Sequence, residues 1–172
     1  MAFRSRSFRI DNRLGKYFIN GTDQTATVSA LSDKARGCFS TNTGQTTLTT
    51  SYAIMNLGTE NYATSGDFTL SSSRVTVNKS GLFLITYNLT TDCTSGSART
   101  ESQAQLYENA TAVQGTFGGM YNRIVDRGLS HCGASIILDV TDGDIFDVRA
   151  LKTGSDTVVQ AQNGLQLTFV EL

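Results

Sequence analysis

Beyond Gly21 the chain alternates apolar and polar residues with a period of two. No window of ten or more residues has a clear 3.6-residue period flanked by helix caps. A two-residue period turns one face of a strand to a core and the other away from it, so the pattern commits the chain to half-buried strands. Strands are expected at 35–40, 46–57, 67–77, 82–93, 99–108, 112–121, 130–140, 144–151, 158–161 and 165–172. Breaks fall at Asn42-Thr-Gly, from Asn78 to Gly81, at Thr94-Ser-Gly-Ser, Glu108-Asn-Ala, Asp142-Gly, Thr153-Gly-Ser and Asn163-Gly. Proline is absent from all 172 residues, where average usage of about 5% would place several. Glycine, Asn and Asp must therefore supply the turns. About ten short strands with such punctuation predict an all-β chain, an antiparallel jelly-roll β-sandwich.

The alternation also assigns faces. Phe83, Ile85, Tyr87 and Leu89 share one side, as do Ile136, Leu138 and Val140, then Phe146, Val148 and Ala150, then Leu165, Leu167 and Phe169. These are the expected core, each large side chain contributing roughly 1.5–3 kcal/mol on burial. The reverse faces carry Leu84, Thr86 and Asn88 on one strand and Gln166, Thr168 and Val170 on another. Moderately apolar and thin in charge, they suit packing against a copy of the same sheet.

Charge divides the chain a second way. The first eighteen residues hold Arg4, Arg6, Arg9, Arg13 and Lys16 against Asp11 alone, with Phe3, Phe8, Ile10, Tyr17 and Phe18 interleaved. Five of the 14 basic and one of the 15 acidic residues lie there, which leaves nine against 14 in the remainder. Two parts are expected: an extended basic and aromatic arm with its linker over 1–34, and a strand-rich domain over 35–172. The arm suits an acidic protein surface, through guanidinium–carboxylate pairing and anchored aromatic rings, or strand addition to a neighbouring sheet. Nucleic acid is disfavoured, because the acidic remainder would repel a polyanion.

Several chemistries find little support. His131 is the single histidine, and in Ser130-His-Cys132 neighbouring side chains of a strand point to opposite faces. No nucleophile–base pair is assembled locally, and neither a nucleophile elbow nor a phosphate-binding loop is present, so no catalysis and no cofactor are expected. Asp139, Asp142, Asp144 and Asp147 surround one turn but lack calcium-loop spacing, and no metal is expected. Cys38, Cys93 and Cys132 are widely spaced; free thiols are the simpler reading and a Cys93–Cys132 bridge stays open. The N-glycosylation patterns at Asn20, Asn78, Asn88 and Asn109 are read as coincidence in a Thr- and Asn-rich chain. No apolar stretch approaches a membrane span, and arginines interrupt any signal-peptide core at the start.

The residues from Phe68 to Leu70 and from Arg74 to Tyr87, with Gly81-Leu-Phe opening the long strand, resemble the B-to-C passage of the C1q/TNF-like jelly roll. Gln105-Leu-Tyr-Glu-Asn109 resembles the hairpin that follows, with Ala110 where glycine is usual. Ser135 to Val148, turning at Asp142-Gly-Asp, is similar to the F-to-G passage, and the chain closes on the apolar strand 165–172. The resemblance covers roughly residues 35–172. It implies a ten-strand jelly roll that assembles as a homotrimer, with Leu84, Thr86, Asn88, Gln166, Thr168 and Val170 facing the three-fold axis.

A small trimeric jelly roll with an N-terminal arm is most similar in layout to the decoration, or cement, proteins of tailed-phage capsids. That layout implies a non-enzymatic virion protein, made in the host cytoplasm and placed on the outer capsid surface. Its partners are then itself and the major capsid protein, with no membrane involved. The capsid-binding arm would be Phe3, Arg4, Arg6, Phe8, Arg9, Ile10, Arg13, Lys16, Tyr17 and Phe18. The alternative is a receptor- or glycan-binding head of a virion appendage.

Overall fold

In the computed structural model the described residues are 8–11, 16–19, 22–23, 33–41, 44–96, 99–123 and 128–172, and the first three segments are described by their backbone path. The chain divides into two units, Met1–Lys34 and Ala35–Leu172. In the first, β1 (Phe8–Asp11), β2 (Lys16–Ile19) and β3 (Thr22–Asp23) form an antiparallel meander. Phe8 is opposite Ile19 and Ile10 opposite Tyr17, while Arg9 faces Phe18 and Asp11 faces Lys16. An extended arm was expected; here the segment pairs with itself.

The second unit begins with β4 (Arg36–Ser40), β5 (Ala53–Ile54), β6 (Thr59–Ala63), β7 (Phe68–Ser71) and β8 (Arg74–Val77). It continues with β9 (Gly81–Ser95), β10 (Thr100–Glu108), β11 (Thr111–Ala112) and β12 (Gly118–Asn122). The last three are β13 (Ser130–Val140), β14 (Ile145–Thr153) and β15 (Thr157–Glu171). One sheet runs β13-β9-β15-β4-β6. The other runs β11-β10-β14-β8-β7, with β12 also on β10 and β5 also on β14. All of these pairings are antiparallel. Among the described residues every regular element is a strand, and no helix is long and apolar enough to cross a membrane.

The core lies between the two sheets. Phe83, Ile85, Tyr87 and Leu89 are buried together with Phe146, Val148, Ala150, Leu165, Leu167 and Phe169, as the alternation required. Phe39, Phe68, Phe83, Phe146 and Phe169 form an aromatic cluster, with paired ring centroids 5.5–6.4 Å apart and mostly edge-on. Edge-on geometry sets the positive rim of one ring against the negative face of the next. The Tyr87 hydroxyl, inside this core, donates to the Thr116 carbonyl at 2.6 Å, which satisfies a polar group that burial would otherwise penalise.

Four departures from the expected strands have local causes. The 46–57 segment keeps its buried Leu48, Met55 and Leu57 but is strand only at Ala53–Ile54 and a bridge at Thr47. It hydrogen-bonds to Val158 and Gln160 at one end and to Val148 and Lys152 at the other, so it passes from one sheet to the other. Residues 67–77 are a hairpin that reverses at Ser72-Ser73, both with positive φ. Residues 112–121 split into the end of β11 and most of β12, around a turn at Gly115 with φ 82°. The last two expected strands are one, β15, interrupted by a bulge between Gln160 and Leu165. There the buried Gln160 amide donates to Thr41 Oγ1 at 2.6 Å and to the Asn56 carbonyl at 2.8 Å, and it accepts the Asn56 N–H at 2.7 Å. Gln160 thereby serves both backbone groups of Asn56 at the irregularity, and Thr41 Oγ1 gives the Asn56 carbonyl a second donor at 3.1 Å.

Candidate functional site

The two long strands β9 and β15 lie side by side, so their outward residues meet as cross-strand pairs. Leu84 is opposite Val170, Thr86 opposite Thr168, and Asn88 opposite Gln166. The six residues singled out in the sequence thus form one contiguous patch. The rows extend outward to Ile137, Ser135 and Gly133 on β13 and to Arg36, Cys38 and Ser40 on β4. Thr86 and Ser135 share a hydroxyl hydrogen bond of 2.9 Å, and Cys38 Sγ accepts from the Gln166 amide at 3.5 Å. At one end Leu82, Leu84, Ile137, Val170 and Leu172 make the face apolar, and Ile137 is 55% exposed. Tyr62, 58% exposed, borders the other side. Charge enters this face mainly at its margins, through Arg36 and Asp139.

A second exposed apolar feature lies along β12, and the alternation did not reveal it. Phe117 is 57% exposed, Leu129 is 68% exposed, and Tyr121 is exposed between them in chain order. Phe117 and Tyr121 line a cavity of about 350 Å³ with Gln103 and Met120. The Tyr121 N–H donates to Ser130 Oγ at 3.1 Å, which places this edge beside β13 and the neutral face. Period-two reading reports which side of a strand is buried. It does not report that a strand ends the sheet with aromatics outward; the one available signal was the Phe117-Gly-Gly sequence, where glycines leave the ring uncovered.

The remaining candidates are separated by the fold. His131 is exposed on the neutral face opposite Thr90, whereas Cys132 is buried on the other side. Burial pushes the Cys132 thiol up to about 11, with the Tyr87 hydroxyl lowering it slightly. The three cysteines are free; Cys132 is opposite Leu89, four residues before Cys93, which the pairing keeps out of bridging reach. Asp144 accepts the Thr141 N–H and the Asn109 amide, both at 2.7 Å, and Asp147 is held by arginines. Among the described residues no group of three His, Cys, Asp or Glu is placed to hold a metal ion. Of the arm residues, Phe8, Arg9, Ile10, Lys16, Tyr17 and Phe18 lie on β1 and β2, while Phe3, Arg4, Arg6 and Arg13 lie outside the described residues.

No protein-family model matches the sequence, and no curated protein sequence is significantly similar to it. Solved structures are similar in shape. Murine APRIL at pH 8.5 has a TM-score of 0.55 at 11% identity, covering 81% of this chain and 100% of its own. Eiger TNF from S. frugiperda has a TM-score of 0.53 at 14% identity, covering 81% and 92%. The globular domain of zebrafish complement 1qA has a TM-score of 0.50 at 11% identity, covering 81% and 98%. At these identities the likeness is one of fold, and the fold is the C1q/TNF-like jelly roll.

Proposed function

We propose that the protein is a homotrimeric decoration protein of a tailed-phage capsid, which clamps the outer shell without catalysis. The observation that carries the trimer is the coexistence of two different exposed patches on one body. These are the neutral face around Leu84, Ile137 and Val170 and the aromatic edge around Phe117 and Tyr121. Two unlike patches pair head to tail, and a head-to-tail contact that closes gives a ring. The trimeric assembly implied by the fold resemblance is such a ring. Isolated apolar residues are ordinary on a surface, but contiguous ones mark association.

The capsid half of the reading rests on the first unit. Its basic residues, from Arg4 to Lys16, precede a body in which acids predominate, and its backbone register sets Phe8 opposite Ile19 and Ile10 opposite Tyr17. Three such units on one rigid trimer convert a weak contact with the major capsid protein into a strong one. Avidity of this kind raises affinity by roughly 10²–10⁴ over a single contact.

The test is cosedimentation with undecorated capsids of the intact chain and of a variant lacking residues 1–34. The expected result is binding by the first, and a trimer that no longer binds for the second. Failure of the intact protein to sediment with capsids removes the cement reading. A free protein that then blocks host adsorption establishes the receptor-binding head.

A further inference from the structure

On the outer side of the sheet containing β14, away from the neutral face, a cavity of about 350 Å³ is lined by Arg74, Asn109, Ala110, Ile145, Asp147 and Arg149. Its floor is charged and rigid. The Asp147 side chain is 2% exposed and receives Arg149 Nε at 2.6 Å, Arg149 Nη2 at 3.2 Å and Arg74 Nε at 3.3 Å. The Arg149 guanidinium also lies 4.2 Å from the centre of the Tyr107 ring, which itself packs against Tyr52 at 5.9 Å. Arg149 is thereby fixed on one side by charge and on the other by an aromatic face.

Asp147 does not exhaust these donors. Both terminal nitrogens of Arg74 and Nη1 of Arg149 make no hydrogen bond to protein among the described residues. Two guanidiniums share the single carboxylate of the cavity floor, which leaves N–H edges free for a ligand. Its rim is preformed: the Asn109 amide is occupied by Asp144 Oδ1 at 2.7 Å and by the Ile145 N–H at 3.0 Å. Asp144 also accepts the Thr141 N–H, so its oxygens are hydrogen-bonded, while its charge, beside that of Glu108, stays at the rim. Ile145 and Ala110 give the cavity an apolar wall.

We propose that this cavity binds the carboxylate of an acidic sugar, of the uronic or sialic acid class. With Asp144 and Glu108 at the rim, a single anionic charge is repelled less than the double charge of a phosphate. Free guanidinium edges pair with carboxylate oxygens in a fork. The apolar wall suits the C–H face of a sugar ring, which a hydrated inorganic ion would not use. The volume lies at the small end of the range for ligand pockets, roughly 300–1,000 Å³, so it takes one ring and excludes a peptide or nucleic-acid segment.

The experiment is a titration of the full-length protein with sodium glucuronate and with sodium N-acetylneuraminate, followed by amide shifts in ¹H–¹⁵N spectra. Glucose, sodium acetate and inorganic phosphate are titrated beside them. Saturable shifts centred on Ala110 and Ile145 are expected for one or both sugar acids, with glucose, acetate and phosphate at least about tenfold weaker. Charge-assisted hydrogen bonds of ordinary strength account for a factor of that size. Arg74→Gln should weaken sugar-acid binding by about tenfold or more, while Arg99→Gln, at an exposed arginine outside the cavity, leaves it unchanged. Absence of binding by both sugar acids overturns the proposal, as does phosphate binding as tightly or an Arg74→Gln protein that binds normally. No capsid is present, so the outcome stands apart from that of the cosedimentation test.

Discussion

Arg149 holds the buried carboxylate of Asp147 at two points, 2.6 Å from Nε to Oδ1 and 3.2 Å from Nη2 to Oδ2, and hydrogen bonding to that carboxylate raises the guanidinium further above its ordinary pKa. Arg74 reaches the same carboxylate from the neighbouring strand with one nitrogen at 3.3 Å, and its side chain is 43% exposed. The two arginines are therefore unequal supports. Arg149→Ala leaves a buried charge poorly paired and should cost roughly 2–3 kcal/mol in chemical denaturation. Arg74→Ala removes a solvent-screened contact and should cost only about 0.5–1 kcal/mol. Equal losses would contradict the assignment of Arg149 as the principal partner.

Asn109 and Ala110 join β10 to β11 with φ of 48° and 67°, the signs of a type I′ hairpin turn. An alanine there is strained by its Cβ, and glycine is not. Ala110→Gly should stabilise the domain by about 0.5–1 kcal/mol, after allowance for the greater freedom glycine gives the unfolded chain. An unchanged or lowered denaturation midpoint would show that the turn carries no such strain.

The proposed ring makes two linked demands on the neutral face. Ile137→Asp, which sets a charge at its exposed apolar end, should yield folded monomers by light scattering coupled to size exclusion. Cys38 lies in the row formed by Thr168 and Thr86. Its thiol should react slowly with a maleimide in the assembled protein and quickly in the Ile137→Asp monomer. An Ile137→Asp protein that remains trimeric, or equal labelling rates in the two proteins, would place the interface elsewhere.

Alkaline pH should weaken the fold in a definite window. Burial raises the Cys132 thiol from 9.0 to about 11, and it raises Tyr87 and Cys93 as well. Below pH 9 the thiol is neutral in folded and unfolded chains alike, and its full contribution is present. Between about 9 and 11 the unfolded chain ionises first, so stability falls as pH rises through the folded value. The melting temperature should drop across that interval, and less steeply in Cys132→Ala. Identical slopes in the two proteins would exclude the thiol as a source.

Legibility in the sequence followed the ladder. Strand β13 runs over 130–140 as the alternation predicted, and the six outward residues of β9 and β15 were readable because long, regularly paired strands keep their phase. The hairpin at Ser72-Ser73 was not readable, since two serines with positive φ carry no Gly or Asn signal. The polar strand Thr59–Ala63 was missed because it sits at a sheet edge with little buried surface to pattern it. The 46–57 crossover misled in the opposite direction: its apolar residues alternate because they enter a core, although no continuous ladder accompanies them. Phe117 and Tyr121 stayed hidden because exposure at an edge leaves no periodic trace. The Arg74–Asp147–Arg149 group was equally hidden, since the register of β8 on β14, rather than spacing along one strand, brings Arg74 to the Asp147–Arg149 pair.

The bulge in β15 is a change of phase. From Gln160 to Leu165 the strand advances five residues while its partner β9 advances two, from Thr91 to Leu89, and both ends still point into the core. The three additional residues are an odd number, and oddness is what lets Val158 and Phe169 occupy the same interior from positions of opposite parity. Removing one residue between Ala161 and Gly164 would turn one half of the strand inside out, moving either Val158 and Gln160 or the Leu165–Phe169 row off the core face. Adding or removing a pair would preserve both halves. Length variation at this point is therefore quantised in twos, a constraint on the number of residues that is indifferent to their identity.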